Sequence, residues 1–374
     1  MPHIAIVYSH FPHYRQAVFQ ELANSPHYRF SFFYDPRGVS DSIRSGELGA
    51  GHFGIKTIKF GVLLIQPRSC HLALLRQFDG FIFLGNPYIL STWLAAVLAR
   101  LRGRPVFFWS HGWLRRETGL KAWLRRNFYR IADGLLVYGN RAREIGVSEG
   151  FSPERIHVIN NSLDYTVQKQ AREFALTAAA NYALPNADLP RKPFFLAVTR
   201  LVPSVELDKA IEAMAKLPHD AALVVVGAGP ERTALEARVR ELGVDVRFLG
   251  AIYDELRLAN LFLRARAVVS PGKVGLLAMH ALAYGTPVIT HDDPDRQMPE
   301  VEAIEPGVTG AFFKRGDVSD LARHMGMFLD RPTEGWEYEA GRVAAISKIE
   351  IGYTPQAQVA LITAALDTKL GSPS

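Results

Sequence analysis

Short apolar runs alternate with helix-like segments along nearly the whole chain of 374 residues. Runs such as 3–8, 80–84 and 105–110 carry few of the alternating polar residues that a strand with one solvated face would have. Strands buried on both faces have this pattern, and they occur in parallel sheets whose two faces are covered by helices. The fold class that we predict is therefore α/β, with doubly wound parallel sheets.

The alternation stops near residue 156 and restarts at residue 194, which divides the chain into two Rossmann-like domains. We expect an N-terminal domain over residues 1–165, a linker over 166–192, a C-terminal domain over 193–350, and a final helix in 351–374 that packs back on the N-terminal domain. Two such domains facing each other would leave a central cleft along the carboxyl ends of their strands, where ligands of these folds bind.

The composition narrows the class of protein. Cys70 is the only cysteine, so an intrachain disulfide and a cysteine-rich metal site are both excluded. No apolar run reaches the roughly 18–20 residues of a membrane-spanning helix, and the N-terminus resembles a strand more than a signal peptide. We therefore expect a cytoplasmic location.

The formal net charge is +6, and the basic excess lies mainly between residues 100 and 130. Within 113–130, four apolar residues can share one helical face flanked by arginines. They are Leu120, Trp123, Leu124 and Phe128. Such a helix either lies on an anionic surface such as the inner membrane, or packs its apolar face against a sheet. Nucleic acid is not expected as a partner, because the sequence has no nucleic-acid-binding signature.

Polar side chains and glycines that follow the predicted strands are the candidate ligand-binding residues. In the first half these are His10, His13, Arg15, Asn86 and His111. In the second half, Arg200 ends a strand, and glycines in 227–229 and 272–275 open loops that lead into helices. Such loops can bind phosphate and an arginine can clamp a diphosphate, although tight turns also use glycine for packing alone.

Six segments of the second half resemble, in order and spacing, the C-terminal half of the family 4 retaining glycosyltransferases, whose fold is termed GT-B. They are residues 200–203, 224–232, 246–250, 270–271, 281–290 and 307–310. The first half is similar to the family more loosely, through residues 110–112 and 161–164. The segment 270–304 also resembles members that act in bacterial surface-polysaccharide assembly.

The resemblance implies transfer of a sugar, with retention, from a UDP- or GDP-sugar to a glycolipid or saccharide acceptor, without a cofactor and commonly without a bound metal. The C-terminal domain would bind the donor and the N-terminal domain the acceptor. We assign catalytic roles to His111, Arg200, Lys273 and His280. The donor-binding candidates are Gly227, Gly229, Gly250, Gly272, Val274, Gly275, Leu276, and either Glu300 or Glu302. The acceptor-binding candidates are His10, His13, Arg15 and Asn86.

Three positions depart from the family pattern. Gly272 and His280 stand where the family has two glutamates, and Val205 stands where it has a lysine on the diphosphate. An imidazole can take over hydrogen bonds to ribose hydroxyls, and Lys273 is a nearby cation that could replace the lysine. The departures leave two alternatives open. One is a GT-B sugar-nucleotide epimerase, and the other is a catalytically weakened, membrane-associated partner of a polysaccharide assembly complex.

Overall fold

The computed structural model describes residues 1–12, 15–37, 51–181, 189–218, 220–332, 334 and 336–371. The chain forms two compact units, one made of Met1–Asp164 with Thr354–Ser374, the other of Tyr165–Tyr353. Each unit contains its own parallel sheet covered by helices, so the predicted α/β fold class is confirmed.

The first unit is built on a seven-stranded parallel sheet. Its described strands are β1 (His3–Val7), β2 (Arg29–Tyr34), β3 (His52–Gly54), β4 (Ile58–Phe60), β5 (Leu63–Ile65), β6 (Gly80–Leu84), β7 (Val106–Trp109), β8 (Gly134–Val137) and β9 (Ile156–Val158). The sheet order is β3-β2-β1-β6-β7-β8-β9, and β4 and β5 form a separate antiparallel hairpin. The helices before residue 165 are α1 (Gln16–Ala23), α2 (Pro67–Leu74), α3 (Leu90–Leu101), α4 (Gly119–Ile131) and α5 (Asn140–Ser148).

Successive residues of the first sheet belong to two different cores, one on each face. In β7, Val106 and Phe108 pack into the core beneath α3 and α4, whereas Phe107 and Trp109 pack into the core on the opposite face. All four side chains are at most 1% exposed. Burial on both faces explains why the strands are continuous apolar runs without polar alternation.

The second unit has a six-stranded sheet in which every pairing is parallel. Its strands are β10 (Phe194–Val198), β11 (Ala222–Val226), β12 (Val246–Gly250), β13 (Val268–Ser270), β14 (Val288–His291) and β15 (Gly310–Phe313), in the order β12-β11-β10-β13-β14-β15. Its helices are α6 (Tyr165–Asn181), α7 (Leu207–Met214), α8 (Arg232–Leu242), α9 (Glu255–Arg264), α10 (Leu276–Ala283), α11 (Val318–Asp330) and α12 (Trp336–Gly352).

The segment 166–192, which we expected to be a linker, begins inside helix α6. This helix packs against α9 and α10, and the guanidinium of Arg172 donates a hydrogen bond to the carbonyl of Ala283. Helix α6 therefore belongs to the second unit. The alanine-rich composition of its end obscured this packing in the sequence.

The last helix, α13 (Pro355–Leu370), completes the first unit. The hydroxyl of Thr354 caps it by accepting the amide of Ala357 at 3.2 Å, and Ile362 and Leu366 are fully buried in the core that also holds α1. The hydroxyl of Ser162 donates to Gln358 at 2.9 Å. The chain thus returns to its first unit after finishing the second.

Candidate functional site

The second sheet reverses its direction of growth between β10 and β13. From β10 the strands β11 and β12 follow toward one edge, whereas β14 and β15 follow β13 toward the other. The strand order therefore reverses between β10 and β13, and such switch points bind ligands in open α/β sheets. The loops that follow these two strands carry Arg200 and Lys273.

The backbone of Arg200 is held by its neighbours while its side chain is exposed. The amide of Thr199 donates to Val226 at 2.9 Å, and that of Leu201 donates to Ala228 at 3.0 Å. Among the described residues no carboxylate pairs with the Arg200 guanidinium, and Lys273 is likewise exposed without an acidic partner. The switch point therefore presents two uncompensated cations on fixed loops.

The glycines of the 227–229 turn serve backbone packing. A Cβ at Gly227 would lie 1.8 Å from the carbonyl oxygen of Thr199, and a Cβ at Gly229 would lie 2.2 Å from that of Leu201. The Gly227 amide donates to the carbonyl of Gly250 at 2.7 Å. The Gly227 amide thus already has a protein acceptor, and donor binding by Gly227 and Gly229 stays a prediction.

Gly272 is required because the turn at 203–205 packs directly on it. A Cβ there would lie 2.5 Å from the carbonyl oxygen of Ser204, and the Gly272 amide donates to the carbonyl of Val205 at 3.0 Å. The Val274 amide donates to Oε1 of Gln297 at 2.8 Å, and the Val274 side chain is fully buried. The amides of the donor-binding candidates Gly272 and Val274 thus both have protein acceptors. In this structure both amides hold the loop rather than a ligand.

A buried polar network that the sequence did not reveal fixes this loop. The side-chain nitrogen Nε2 of Gln297 donates to Thr290 Oγ1 at 2.8 Å and to the carbonyl of His291 at 3.0 Å. The Thr290 hydroxyl in turn donates to the carbonyl of Ser270 at 2.9 Å. The only sequence signal was a polar pair, Thr290 and His291, at the end of an apolar strand. The side chains of this network are buried, and they hold the loop through its backbone amide and carbonyl groups.

Val205, in the position of the family's lysine, packs against the core of the second unit. The nearest following lysine, Lys209, forms an ion pair with Glu206, which Arg315 also approaches at 3.4 Å. Burial raises the pKa of Glu206, but these two cations outweigh it and the net shift is downward. Because Lys209 and Arg315 both pair with Glu206, neither of them replaces the positive charge of the family's lysine at position 205.

His280 lies within an aromatic and acidic cluster between α9 and α10. Its Nε2 is 2.7 Å from Oε1 of Glu255, and the hydroxyl of Tyr284 donates to the same oxygen at 2.5 Å. Burial raises the pKa of Glu255, but the hydrogen bonds from His280 and Tyr284 outweigh it and lower the pKa overall. The structure therefore assigns His280 a partner, Glu255, that the sequence analysis missed. The catalytic role assigned to His280 stays a prediction, and in this structure its Nε2 faces the Glu255 carboxylate.

The remaining donor-site candidates lie around helix α10. Gly275 is its N-cap residue and Leu276 its first residue. Glu300 is 3% exposed and Glu302 is half-buried, and both carboxylates, together with burial, raise the pKa of Tyr353. Glu300 and Glu302 thus belong to one local cluster with Tyr353.

In the first unit, Arg15 is enclosed by aromatic rings at the carboxyl end of the sheet. Its guanidinium carbon lies 5.9 Å from the ring centre of Tyr8, 5.6 Å from that of Trp109 and 5.1 Å from that of Tyr138. Cation–π attraction of this kind holds a charge that water would otherwise solvate. The Arg15 side chain is therefore a fixed positive charge, and its residue is only 7% exposed.

Two predicted histidines lie within the field of Arg15. Burial and the Arg15 charge lower the pKa of His111 to about 4, and the same causes lower the pKa of His10. The His111 ring makes an edge contact with Tyr138, with the ring centres 5.0 Å apart. At neutral pH both imidazoles are thus uncharged hydrogen-bonding groups. The structure brings the catalytic candidate His111 close to the acceptor-binding candidates His10 and Arg15.

The other two acceptor candidates have different outcomes. The Oδ1 of Asn86 accepts the amide of Tyr88 at 3.0 Å and so shapes its own turn. His13 lies outside the described residues. Within the described parts of the chain, no group of three or more His, Cys, Asp or Glu side chains is arranged to hold a metal ion.

Helix α4, which covers most of the basic stretch, is divided between core and surface. Phe128 stacks on Phe108 with ring centres 4.3 Å apart, whereas Leu120 is 77% and Trp123 59% exposed. Packing against the sheet therefore holds for Phe128, whereas Leu120 and Trp123 lie at the surface of the unit. No helix in the described part of the chain combines the length and apolar character needed to span a bilayer.

Models of known families match both halves of the chain. The model described as "Glycosyltransferase Family 4" matches residues 50–167, and that described as "Glycosyl transferases group 1" matches residues 185–340. The chain belongs to glycosyltransferase family 4.

Two mycobacterial mannosyltransferases are relatives of this family 4 member. A GDP-mannose-dependent alpha-(1-6)-phosphatidylinositol dimannoside mannosyltransferase of Mycobacterium tuberculosis is 38% identical over 96 residues, which are 24% of this chain and 25% of that protein. An MMP alpha-(1->4)-mannosyltransferase of Mycolicibacterium hassiacum is 28% identical over 234 residues, which are 61% of this chain and 52% of that protein. The matches thus span between a quarter and a half of the relatives' lengths.

Among solved structures, HepE of Anabaena in complex with UDP matches with a TM-score of 0.70 and 16% sequence identity, over 98% of this chain and all of that one. This likeness concerns the fold, and it agrees with the two parallel α/β units described above. The family 4 member therefore has the GT-B fold that the sequence predicted.

Proposed function

We propose that this protein is a retaining glycosyltransferase that moves a sugar from a UDP- or GDP-sugar to a glycolipid or saccharide acceptor in bacterial surface-polysaccharide biosynthesis. The second unit binds the donor, and the first unit binds the acceptor. The observation that carries the proposal is the pair of exposed cations, Arg200 and Lys273, at the switch point of the second sheet.

A sugar leaves a nucleotide donor as the anomeric carbon separates from the oxygen of the β-phosphate, and negative charge grows on the diphosphate. Cations on a rigid loop stabilise that charge in the transition state more than they stabilise the bound donor. The acceptor oxygen bonds to the anomeric carbon on the face that the phosphate leaves, and its proton passes to the departing phosphate oxygen. The reaction then needs neither a strong general base nor a metal ion.

The donor sugar and ribose need hydrogen-bond acceptors that Gly272 does not supply. Glu255 is our candidate for one of them, because its Oε1 is held by His280 and Tyr284 while the carboxylate remains partly accessible. A carboxylate oriented in this way accepts hydrogen bonds from vicinal hydroxyls. Under this proposal His280 positions Glu255 and does not touch the donor.

The acceptor site that we propose surrounds Arg15, His10 and His111. A neutral imidazole can donate one hydrogen bond and accept another, which suits sugar hydroxyls. The buried cation of Arg15 would attract a phosphate or carboxylate on the acceptor. The relative from Mycobacterium tuberculosis is named for a phosphatidylinositol dimannoside substrate, which supports an acceptor that carries both sugar and phosphate.

We also propose that the first unit binds the cytoplasmic face of the inner membrane. Helix α3 exposes four apolar residues on one face, beside the exposed Leu120 and Trp123 of α4. They are Leu90 at 44%, Leu94 at 55%, Val97 at 40% and Leu101 at 79%. Exposed basic residues on either side, among them Arg102, Arg116 and Lys121, complement anionic lipid.

The decisive experiment compares Arg200→Ala with Arg240→Ala, an exposed arginine on helix α8 that removes the same charge elsewhere. With a panel of UDP- and GDP-sugars and bacterial lipid extract as acceptor, we expect kcat/KM of Arg200→Ala to fall about 100-fold or more. Arg240→Ala should stay within twofold of the wild type. Equal activity of the two variants would contradict the donor site proposed here.

The same assay separates the two alternatives. An epimerase would convert the sugar nucleotide without any acceptor, which proton NMR of the nucleotide pool detects. A catalytically weakened partner would bind a donor in calorimetry yet transfer no sugar to any acceptor. Transfer that depends on both donor and acceptor would exclude both.

A further inference from the structure

A cavity of about 630 Å³ lies inside the second unit, at the edge of the sheet opposite the donor loops. Its lining includes Arg266, two residues before strand β13, and Pro287 and Thr309, which directly precede β14 and β15. Since all strands are parallel, these residues mark the amino-terminal edge, whereas Arg200 and Lys273 follow the carboxyl ends. The volume falls within the range of sites that bind small molecules.

The described lining of this cavity contains arginines and no Asp or Glu. Arg266, Arg331 and Arg342 each make one identified hydrogen bond to an uncharged oxygen, and none forms an ion pair with a described carboxylate. Those oxygens are the carbonyls of Arg331 and Gly307 and the hydroxyl of Tyr338. A guanidinium carries five donors, so most of this donor capacity is not committed by these bonds.

Helix ends explain part of this positive charge, but not all of it. Helices α9, α10 and α11 finish at the cavity, and each carboxyl end carries about half a negative charge, or about −1.5 together. The lining has four arginines, Arg264, Arg266, Arg331 and Arg342, which contribute +4, and the amino-terminal turns of α12 also line the cavity. The balance remains positive.

Two of the arginines are held in place by rings. The guanidinium carbon of Arg331 lies 4.2 Å from the ring centre of Phe328, and that of Arg342 lies 5.6 Å from that of Tyr338. Stacking fixes the planes of these groups before any ligand arrives. The remainder of the lining is mostly apolar, and this apolar side includes the small residues Ala340 and Ala344.

We propose that this cavity is a second ligand site, for a small organic phosphate whose anionic group meets Arg331 and Arg342. The apolar side accommodates the organic part of the ligand. Helix α10 runs from the donor loop at Gly275 to this cavity at Tyr284, so one short helix touches both sites.

The test is calorimetric titration of the full-length protein with AMP, glucose 6-phosphate and inorganic phosphate. At least one organic phosphate should bind with a Kd in the micromolar to low millimolar range, and Arg342→Gln should weaken that binding at least 10-fold. Ala340→Phe, which fills the cavity without removing charge, should abolish it even if Arg342→Gln proves unstable. Neither Arg200→Ala nor Arg240→Ala should alter it.

No binding of either ester at 10 mM would overturn the proposal. Binding that Arg200→Ala removes and Ala340→Phe leaves intact would overturn it as well, because the phosphate would then occupy the donor site. Equal affinity for inorganic phosphate and both esters would overturn the role of the apolar side. These outcomes do not depend on sugar transfer, so this proposal can fail while the proposed function stands.

Discussion

Position 272 shows how backbone packing decides which residue a functional loop can carry. The family pattern places a glutamate there, but in this chain the turn at 203–205 occupies the space in which any side chain would begin. The path that the chain takes after Arg200 therefore requires a glycine at position 272. Position 205 lies on the same turn, so the two unusual residues share one structural cause.

Replacing Gly272 by alanine should destabilise the protein by about 1–3 kcal/mol, because the new methyl group meets carbonyl oxygen and backbone carbon that have no room to move. Gly326→Ala is the matched control. Gly326 lies within helix α11, and a Cβ there would meet only the side chain of Pro218, at 4.0 Å. Alanine favours a helix, so this control should be neutral or stabilising. Urea unfolding measures both. A Gly272→Ala variant as stable as Gly326→Ala would contradict the packing described here.

At the scale of single elements, helices α3 and α4 combine core packing with an exposed apolar face. Phe128 of α4 is fully buried, while Trp123, five residues earlier, is 59% exposed. On α3, Ala95, Ala96 and Ala99 are buried against the sheet. The exposed apolar residues of α3 and α4 form the surface that we propose binds the membrane.

We expect Leu94→Glu and Trp123→Glu each to lower flotation with phosphatidylglycerol-containing vesicles at least 10-fold, because each removes an apolar side chain worth about 1.5–3 kcal/mol when buried in lipid. Raising the salt concentration should weaken flotation of the wild type, since the basic residues act through screened charge. The control is Ile351→Glu, which changes an equally apolar residue, 80% exposed, on helix α12. Unchanged flotation of both test variants would count against the membrane face.

The sequence was most informative where both faces of a strand are buried. The apolar run at 222–226 predicts β11, whose residues are all at most 2% exposed, and Arg200 and Lys273 were placed correctly at the ends of strands. It was least informative where polar groups meet across the fold. Gln297 lies 7 residues beyond Thr290 and Glu255 lies 25 residues before His280, and neither pairing leaves a periodic signal. The packing role of the glycine turns was hidden for the same reason, because their steric partners are distant in sequence.

At the scale of the whole molecule, the core of the first unit depends on helix α13, which follows the entire second unit in sequence. Helix α13 is made after the entire second unit, yet its residues fill the core beside α1, β1 and β2. The first sheet therefore has one of its faces only partly covered until helix α13 has packed on it. Contacts of such high sequence separation are costly to form, since a long segment must be closed before they contribute.

Shortening side chains on the buried face of helix α13 should therefore destabilise the first unit. Ile362→Ala and Leu366→Ala each remove a side chain that is fully buried in the core, and each should cost about 2–5 kcal/mol. Leu361→Ala changes the same residue type on the same helix at a position that is 38% exposed, so its cost should be below about 1 kcal/mol. Hydrogen exchange followed by mass spectrometry should show faster exchange in β1, β2 and α1 for the two buried variants and wild-type exchange for Leu361→Ala. If all three variants exchanged alike in these elements, α13 would be a peripheral attachment and not a part of the first unit's core.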